Sequence, residues 1–274
     1  MTFVDFFAGI GGFSLGFIHA GCKCLYQVEK NEQCLSVLNK KFPNIPKHRD
    51  VRTWADTCGL YADVFTFGDP CPKHSRARSN GASKHPDMSG YCLALAGRFQ
   101  PWGVVRENVP ASTVSHFSAA LEAIGYGTVV IRMDAASYTG QSRQRDFIVG
   151  LRQEAGSSVR SLFPEFSDGA GAYTTQLGTR QVIPALTTHR TRYDSRDCYI
   201  WEEKFKKLRI LDAEEREAFA GFPRGWTDGL SEASRARVYG NSAEPGCIRK
   251  LALILSEHFK NSVRNTHGWR SFVA

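Results

Sequence analysis

A chain of 274 residues, 42% of them hydrophobic, has enough apolar side chains for one large core or a core with a small appendage. A net charge of +8 favours a polyanionic partner. The chain has neither an apolar run of about 18 residues nor a charged start leading into an apolar stretch, so a cytoplasmic protein with no membrane segment is expected. The eight cysteines at 22, 24, 34, 58, 71, 92, 198 and 247 are too few for a disulfide framework and lack the paired spacing of a zinc site. Reduced thiols and no bound metal follow.

In chain order, the apolar run Thr2 to Phe7 reads as a strand, followed by Gly9, Gly11 and Gly12 and a helix from Phe13 to Ala20 that ends at Gly21. Lys23 to Val28 reads as a second strand, Asn31 to Lys41 as a helix closed by Pro43, and Asp63 to Gly68 as a short apolar strand. Residues 69–87 form a polar loop containing Pro and Ser. Helices are expected over Met88 to Phe99 and Ser112 to Ile124, on either side of a strand from Gly103 to Arg106, with further strands at Gly127 to Met133 and Asp146 to Leu151. This alternation predicts an α/β, doubly wound, mostly parallel sheet. From Arg152 to Lys207 the pattern loses its period and reads as an irregular insert. Asp212 with Glu215 then forms a capping-box signature with Pro223 as the stop, and a last apolar helix runs from Pro245 to about Phe259. Three segments follow: 1–151 as a catalytic and cofactor-binding domain, 152–207 as a small target-recognition region, and 208–274 as a segment returning to the first.

Five groups of residues carry candidate chemistry. Asp5 to Gly12 reads Asp-Phe-Phe-Ala-Gly-Ile-Gly-Gly at a strand-to-helix turn, where glycines let a ligand approach the backbone or simply make a tight turn. Glu29, at the end of the second strand, suits ribose hydroxyls or is a solvated strand-end charge, and Asp50 suits an adenine amino group or is a surface carboxylate. Gly68-Asp69-Pro70-Cys71-Pro72 sets a thiol between two prolines at the sheet's carboxyl edge, which lifts Cys71 above the other seven cysteines as a nucleophile. Arg106-Glu107-Asn108-Val109-Pro110 offers an acid for a ring nitrogen, or an acid paired with Arg106. Gln141-Ser142-Arg143-Gln144-Arg145 is an anion-holding run or a solvated one, and Gly240-Asn241-Ser242 precedes the last helix as a site segment or only a turn and cap.

In order and spacing these groups resemble the DNA (cytosine-5)-methyltransferases from the first strand to the last helix. The resemblance implies that S-adenosylmethionine is held by Phe7, Gly9, Ile10, Gly11, Gly12, Glu29, Asp50, Val51, Pro70 and Asn241, and that S-adenosylhomocysteine is the product. It implies a catalytic set of Cys71, Glu107, Arg143 and Arg145. Cys71 would add to carbon 6 of a cytosine flipped out of duplex DNA, Glu107 would hold ring nitrogen 3, and the methyl would pass to carbon 5. Ser75, Gln141, Arg180, Arg190, Arg192 and Arg196 are candidates for DNA contacts, with a solvated surface charge as the other reading of each of the four arginines. Gly221-Phe222-Pro223 matches the segment that precedes Gly-Asn-Ser in the family.

Two positions depart from the family pattern: Pro72 stands where glutamine is common, and Lys30 where an aromatic residue often stacks on adenine. The first would alter loop motion and the second would weaken cofactor affinity. Only about 60 residues are available for the recognition domain that the family places before Gly-Phe-Pro, which predicts a short or relaxed DNA site. The chain is expected to act as a monomer, with an accessory specificity partner as an open option. The same core would also suit an RNA (tRNA) cytosine, and a catalytically silent DNA-binding relative is the other alternative, against which the retained Cys71, Glu107 and both arginines argue.

Overall fold

The structure, a computed structural model, describes residues 1–58, 60–70, 87–110, 113–152, 159–164, 183, 185–186 and 199–265. Cys71, Pro72, Ser75, Arg180, Arg190, Arg192 and Arg196 lie outside the described residues.

Seven strands form one sheet: β1 (Thr2–Phe6), β2 (Lys23–Val28), β3 (Lys47–His48), β4 (Val64–Phe67), β5 (Gly103–Asn108), β6 (Tyr126–Asp134) and β7 (Gln144–Arg152). Their order is β3-β2-β1-β4-β5-β7-β6. The first five are parallel, and β7 runs antiparallel to both its neighbours. The reason is local: the short 135–143 connection has no room for a crossover helix, so β6 and β7 must pair as a hairpin. The strand order reverses beside β1, because β2 lies on one side of it and β4 on the other. In an open α/β sheet that reversal leaves a crevice at the carboxyl ends, where ligands bind.

Alternation along the strands sorts the core into two layers. Phe3, Val64, Val105, Phe147 and Val149 face a layer with Phe13 and Phe17 of α1 (Gly12–His19) and Ile248, Leu251 and Leu255 of the C-terminal helix. Val4, Phe6, Phe65, Phe67 and Val104 face the other layer, where α3 (Val51–Thr57), α4 (Ser89–Phe99) and α5 (Thr113–Ala123) supply Trp54, Leu95 and Phe117. Trp54 meets Phe6 and Phe65 edge to face. Each such buried ring contributes about 1.5–3 kcal/mol. A third cluster joins Ile10 and Leu15 of the first turn and helix, and Leu38 and Phe42 near α2 (Glu32–Lys41), to Phe222, Trp226 and Tyr239.

The C-terminal part therefore returns to the first strand. It consists of the hairpin β8 (Tyr199–Glu202) and β9 (Lys207–Ile210), then α6 (Ala213–Phe219), α7 (Glu232–Gly240) and α8 (Pro245–Asn265). Asp212 and Glu215 close the capping box read from the sequence. Within the insert read as irregular, the structure adds a 3-10 turn at Val159–Leu162 and strand β8. No helix among the described residues is long and apolar enough to cross a membrane.

Candidate active site at the carboxyl edge of the sheet

The turn after β1 is built from below. Gly11 caps α1 in a left-handed conformation with no side chain to accept the helix's first amides. Asp5 of β1 does it instead: its carboxylate, fully buried, accepts the Ser14 N–H at 3.0 Å and the Ser14 hydroxyl at 2.6 Å, and Thr66 of β4 donates to its other oxygen at 3.1 Å. Burial pushes the Asp5 carboxyl up to about 7, against the hydrogen bonds from Ser14 and Thr66 that lower it. Sequence reading passed over this role. Its only signal was an acid in the middle of an otherwise apolar strand.

The glycines of the turn have different jobs. A Cβ on Gly12 would come 2.3 Å from the Ala243 carbonyl oxygen, so Gly12 lets the Gly-Asn-Ser segment pack on α1. Gly9, at φ +56°, has nothing within 4 Å of where a Cβ would sit, and its N–H donates to Glu29 at 2.8 Å. Ile10 is buried and its carbonyl accepts the Trp226 indole N–H, while Phe7 takes a positive φ. The second Glu29 oxygen accepts the Asn31 N–H at 2.7 Å, and burial raises its carboxyl while these amides oppose the shift. Both oxygens keep lone pairs for a further donor.

Asp50 caps α3 through the Arg52 N–H and is clasped by the Arg52 side chain, whose hydrogen bond holds the carboxyl at about 2. Neighbouring Val51 is buried. An adenine amino group would therefore meet a carboxylate that already has a cationic partner.

At the ends of β4 and β5, Asp69 and Arg106 form a buried bidentate ion pair, 2.7 Å from Nε to Oδ1 and 2.6 Å from Nη2 to Oδ2. The pairing of Glu107 with Arg106, left open from the sequence, is thus corrected: strand alternation turns Arg106 toward α5, where its guanidinium lies 4.2 Å over the Phe117 ring, and turns Glu107 to the opposite face. There Arg145 Nε of β7 lies 2.9 Å from Glu107 Oε1. The angle is too poor for a hydrogen bond, and this buried oxygen has no hydrogen-bond partner among the described residues.

The two arginines of the run at 141–145 separate. Arg143 is buried, and its Nη2 donates to the Gly240 and Ser242 carbonyls at 3.0 and 2.9 Å, so it clamps the Gly-Asn-Ser segment to the residue just before β7. Burial first, and the charge of Arg145 next, pull its guanidinium down to about 9. Arg145 stands with Glu107. Gln141, expected at the DNA, is 1% exposed, donating to the Phe219 carbonyl and accepting the Leu186 N–H. It ties Leu186 to the end of α6 instead. Asn241 is exposed at the end of α7.

Glu217 organises the C-terminal segment. This fully buried carboxylate accepts from the Gly225 and Thr227 N–H groups, the Thr227 and Tyr239 hydroxyls and Arg235. Burial raises its carboxyl, but the hydrogen bonds, that of Tyr239 largest, hold it at about 2. As one of three glutamates in α6, it gave no sequence signal of such a hub.

The family model described as C-5 cytosine-specific DNA methylase matches residues 1–204. The Type II methyltransferase M.HgiCII of Herpetosiphon aurantiacus is 30% identical over 61% of this chain, but the chain spans only 40% of that relative. M.DsaV of Dactylococcopsis salina, also a Type II methyltransferase, is 23% identical over 92% of this chain and 85% of its own length. Among solved structures, the S. pombe Dnmt2 methyltransferase superposes with a TM-score of 0.67 at 15% identity, covering 94% of this chain and 99% of its own, a likeness of fold.

Proposed function

Because the chain belongs to the C-5 cytosine-specific DNA methylase family, we propose that it methylates carbon 5 of cytosine in duplex DNA, using S-adenosylmethionine. The observation that carries this reading is the convergence on one sheet edge of the open Gly9 turn with Glu29, the Asp69-Pro70 root of the cysteine loop, and Glu107 with an unsatisfied buried oxygen beside Arg145.

The residues fit the cofactor: Gly9 leaves space, Glu29 keeps lone pairs for ribose hydroxyls, and Asp50, Val51, Pro70 and Asn241 are the further residues that would hold it. When bound, S-adenosylmethionine supplies an electrophilic methyl and leaves as S-adenosylhomocysteine. The chain's own part is to make a poor nucleophile reactive. Cys71, as thiolate, adds to carbon 6 of the ring. Glu107 hydrogen-bonds the protonated ring nitrogen 3 through the oxygen that has no hydrogen bond among the described residues, and Arg145 screens the charge that builds on the base. Loss of the carbon-5 proton and expulsion of Cys71 complete turnover. Arg143 acts indirectly, by holding the segment that carries Asn241.

A base stacked in a duplex is out of reach of this edge, so the cytosine is flipped out, and the net charge of +8 serves phosphate contacts. With so small an insert, the recognition site is short or relaxed, and Ser75, Arg180, Arg190, Arg192 and Arg196 are candidates to read or hold it. We place the enzyme in the cytoplasm of a prokaryotic or virus-infected cell, acting as a monomer, with or without an accessory specificity partner.

Tritiated methyl transfer to unmodified duplex DNA and to tRNA, with bisulfite mapping of the DNA, tests the reading. Label on DNA cytosine, abolished in Cys71→Ala, is expected. Label on tRNA alone, or a fully active Cys71→Ala, would overturn it, and a strict site of five or more base pairs would sink the short-site expectation.

A further inference from the structure

We propose that the buried Asp69–Arg106 ion pair is a brace that sets the distance between the nucleophile loop and the catalytic acid, so that these two residues are positioning residues for the methyl transfer. The inference rests on the methyltransferase reading and adds to it two residues with no assigned role.

Asp69 is two residues before Cys71, and Arg106 is next to Glu107, so the pair joins the roots of the two segments that must meet on one base. The strands themselves stop pairing here: the β4–β5 ladder ends with Phe67 opposite Arg106, two residues short of Asp69. Beyond that register no ladder bond ties the end of β4 to β5. The two-pronged contact takes over at this point, at 2.7 and 2.6 Å.

Its chemistry suits a spacer. The guanidinium and carboxylate meet as two planar forks, which fixes orientation as well as distance, and a lysine could not reproduce it. The Arg106 plane is clamped from another side by the Phe117 ring at 4.2 Å, so α5 backs the brace. Neither group is available to a substrate, with the Asp69 side chain 0% exposed and the Arg106 side chain 3%. A buried ion pair is seldom retained for stability, since well-packed apolar residues usually serve as well or better. Geometry is the remaining use. A misplacement of about 1 Å at a reacting centre can cost about 100-fold in rate.

Because removing one partner strands a buried charge and endangers the fold, the test uses Arg106→Lys, which keeps the charge and loses the fork, and the double variant Asp69→Leu/Arg106→Met, which replaces the pair by apolar volume. Steady-state kcat and KM on duplex DNA, S-adenosylhomocysteine affinity by calorimetry and the thermal midpoint are measured beside the wild type. The expected result is a fall in kcat of roughly 10- to 100-fold in both, with DNA KM and S-adenosylhomocysteine Kd within about threefold of wild type. A double variant with wild-type kcat would overturn the brace. So would a loss of affinity and thermal stability in step with kcat, which would assign the pair to the fold alone. A wild-type chain that transfers no methyl would instead defeat the functional reading itself.

Discussion

Single residues at the sheet edge divide into those that make space, those that hold the frame and those that face the substrate, and substitution separates them. Gly9→Ala places a Cβ in open space at a positive φ, so its backbone strain of about 1–2 kcal/mol comes with loss of the close approach expected of the cofactor. Gly12→Ala collides with the Ala243 backbone and should lower the thermal midpoint more. Calorimetric S-adenosylhomocysteine binding set against thermal melts should show affinity falling ahead of stability for the first and stability falling ahead of affinity for the second.

The two arginines separate by the same logic. Arg145→Ala removes the cation beside Glu107 and should reduce kcat by roughly 10²–10³ with the fold intact. Arg143→Ala leaves the Gly240 and Ser242 carbonyls without their donor and should cost roughly 2–4 kcal/mol in urea unfolding, with activity declining only as the C-terminal segment loosens. Equal kinetic losses with equal stabilities would contradict the division.

At the scale of elements, the design is a sheet whose carboxyl edge is held from beneath by buried acids. Asp5 stands in for the cap that Gly11 cannot supply, and its carboxyl lies at about 7 against an ordinary value of 3.8. The native state therefore holds a proton that the unfolded chain releases between these values, and stability falls as pH rises from about 4 toward 7. Asp5→Asn should flatten that part of the urea-unfolding profile, and an unchanged slope would remove Asp5 as its source.

The elements that were legible share a physical cause. β1, β2, β4, α2 and α4 are apolar or amphipathic and are bounded by Gly, Pro or a capping residue, so period and punctuation agree. α3 escaped because Asp50 read as a ligand or a surface carboxylate rather than as a cap, and seven residues show too little period. α7 is largely polar and is held by Ser231 and the Glu217 hub rather than by an apolar stripe. β3 is two residues long, and β8–β9 lies in a stretch where exposed Trp201, Phe205 and Leu208 hide any inside–outside alternation. Within the candidate site, the motif order pointed to Glu29, Glu107 and Arg145, whereas the partner of Arg106 depended on which face of β5 each side chain takes.

On the scale of the whole molecule, chain order and spatial order differ in a way that makes the site. The reversal beside β1 opens the crevice, the C-terminal segment closes back over α1 through Trp226 and the Gly12 contact, and the antiparallel β7 brings Arg145 across to Glu107. Residues distant in sequence thus meet at one sheet edge. On the proposed reading, a recognition region of only about 60 residues leaves little protein for reading bases, so specificity is expected to be low.

The most direct test of that chemistry is to incubate the enzyme and S-adenosylmethionine with duplex DNA carrying 5-fluorocytosine, which has no carbon-5 proton to lose, and to map the adduct by peptide mass spectrometry. A methylated base linked to the peptide containing Cys71 is expected. An active enzyme that gives no adduct, or one linked through any other residue, would contradict the account.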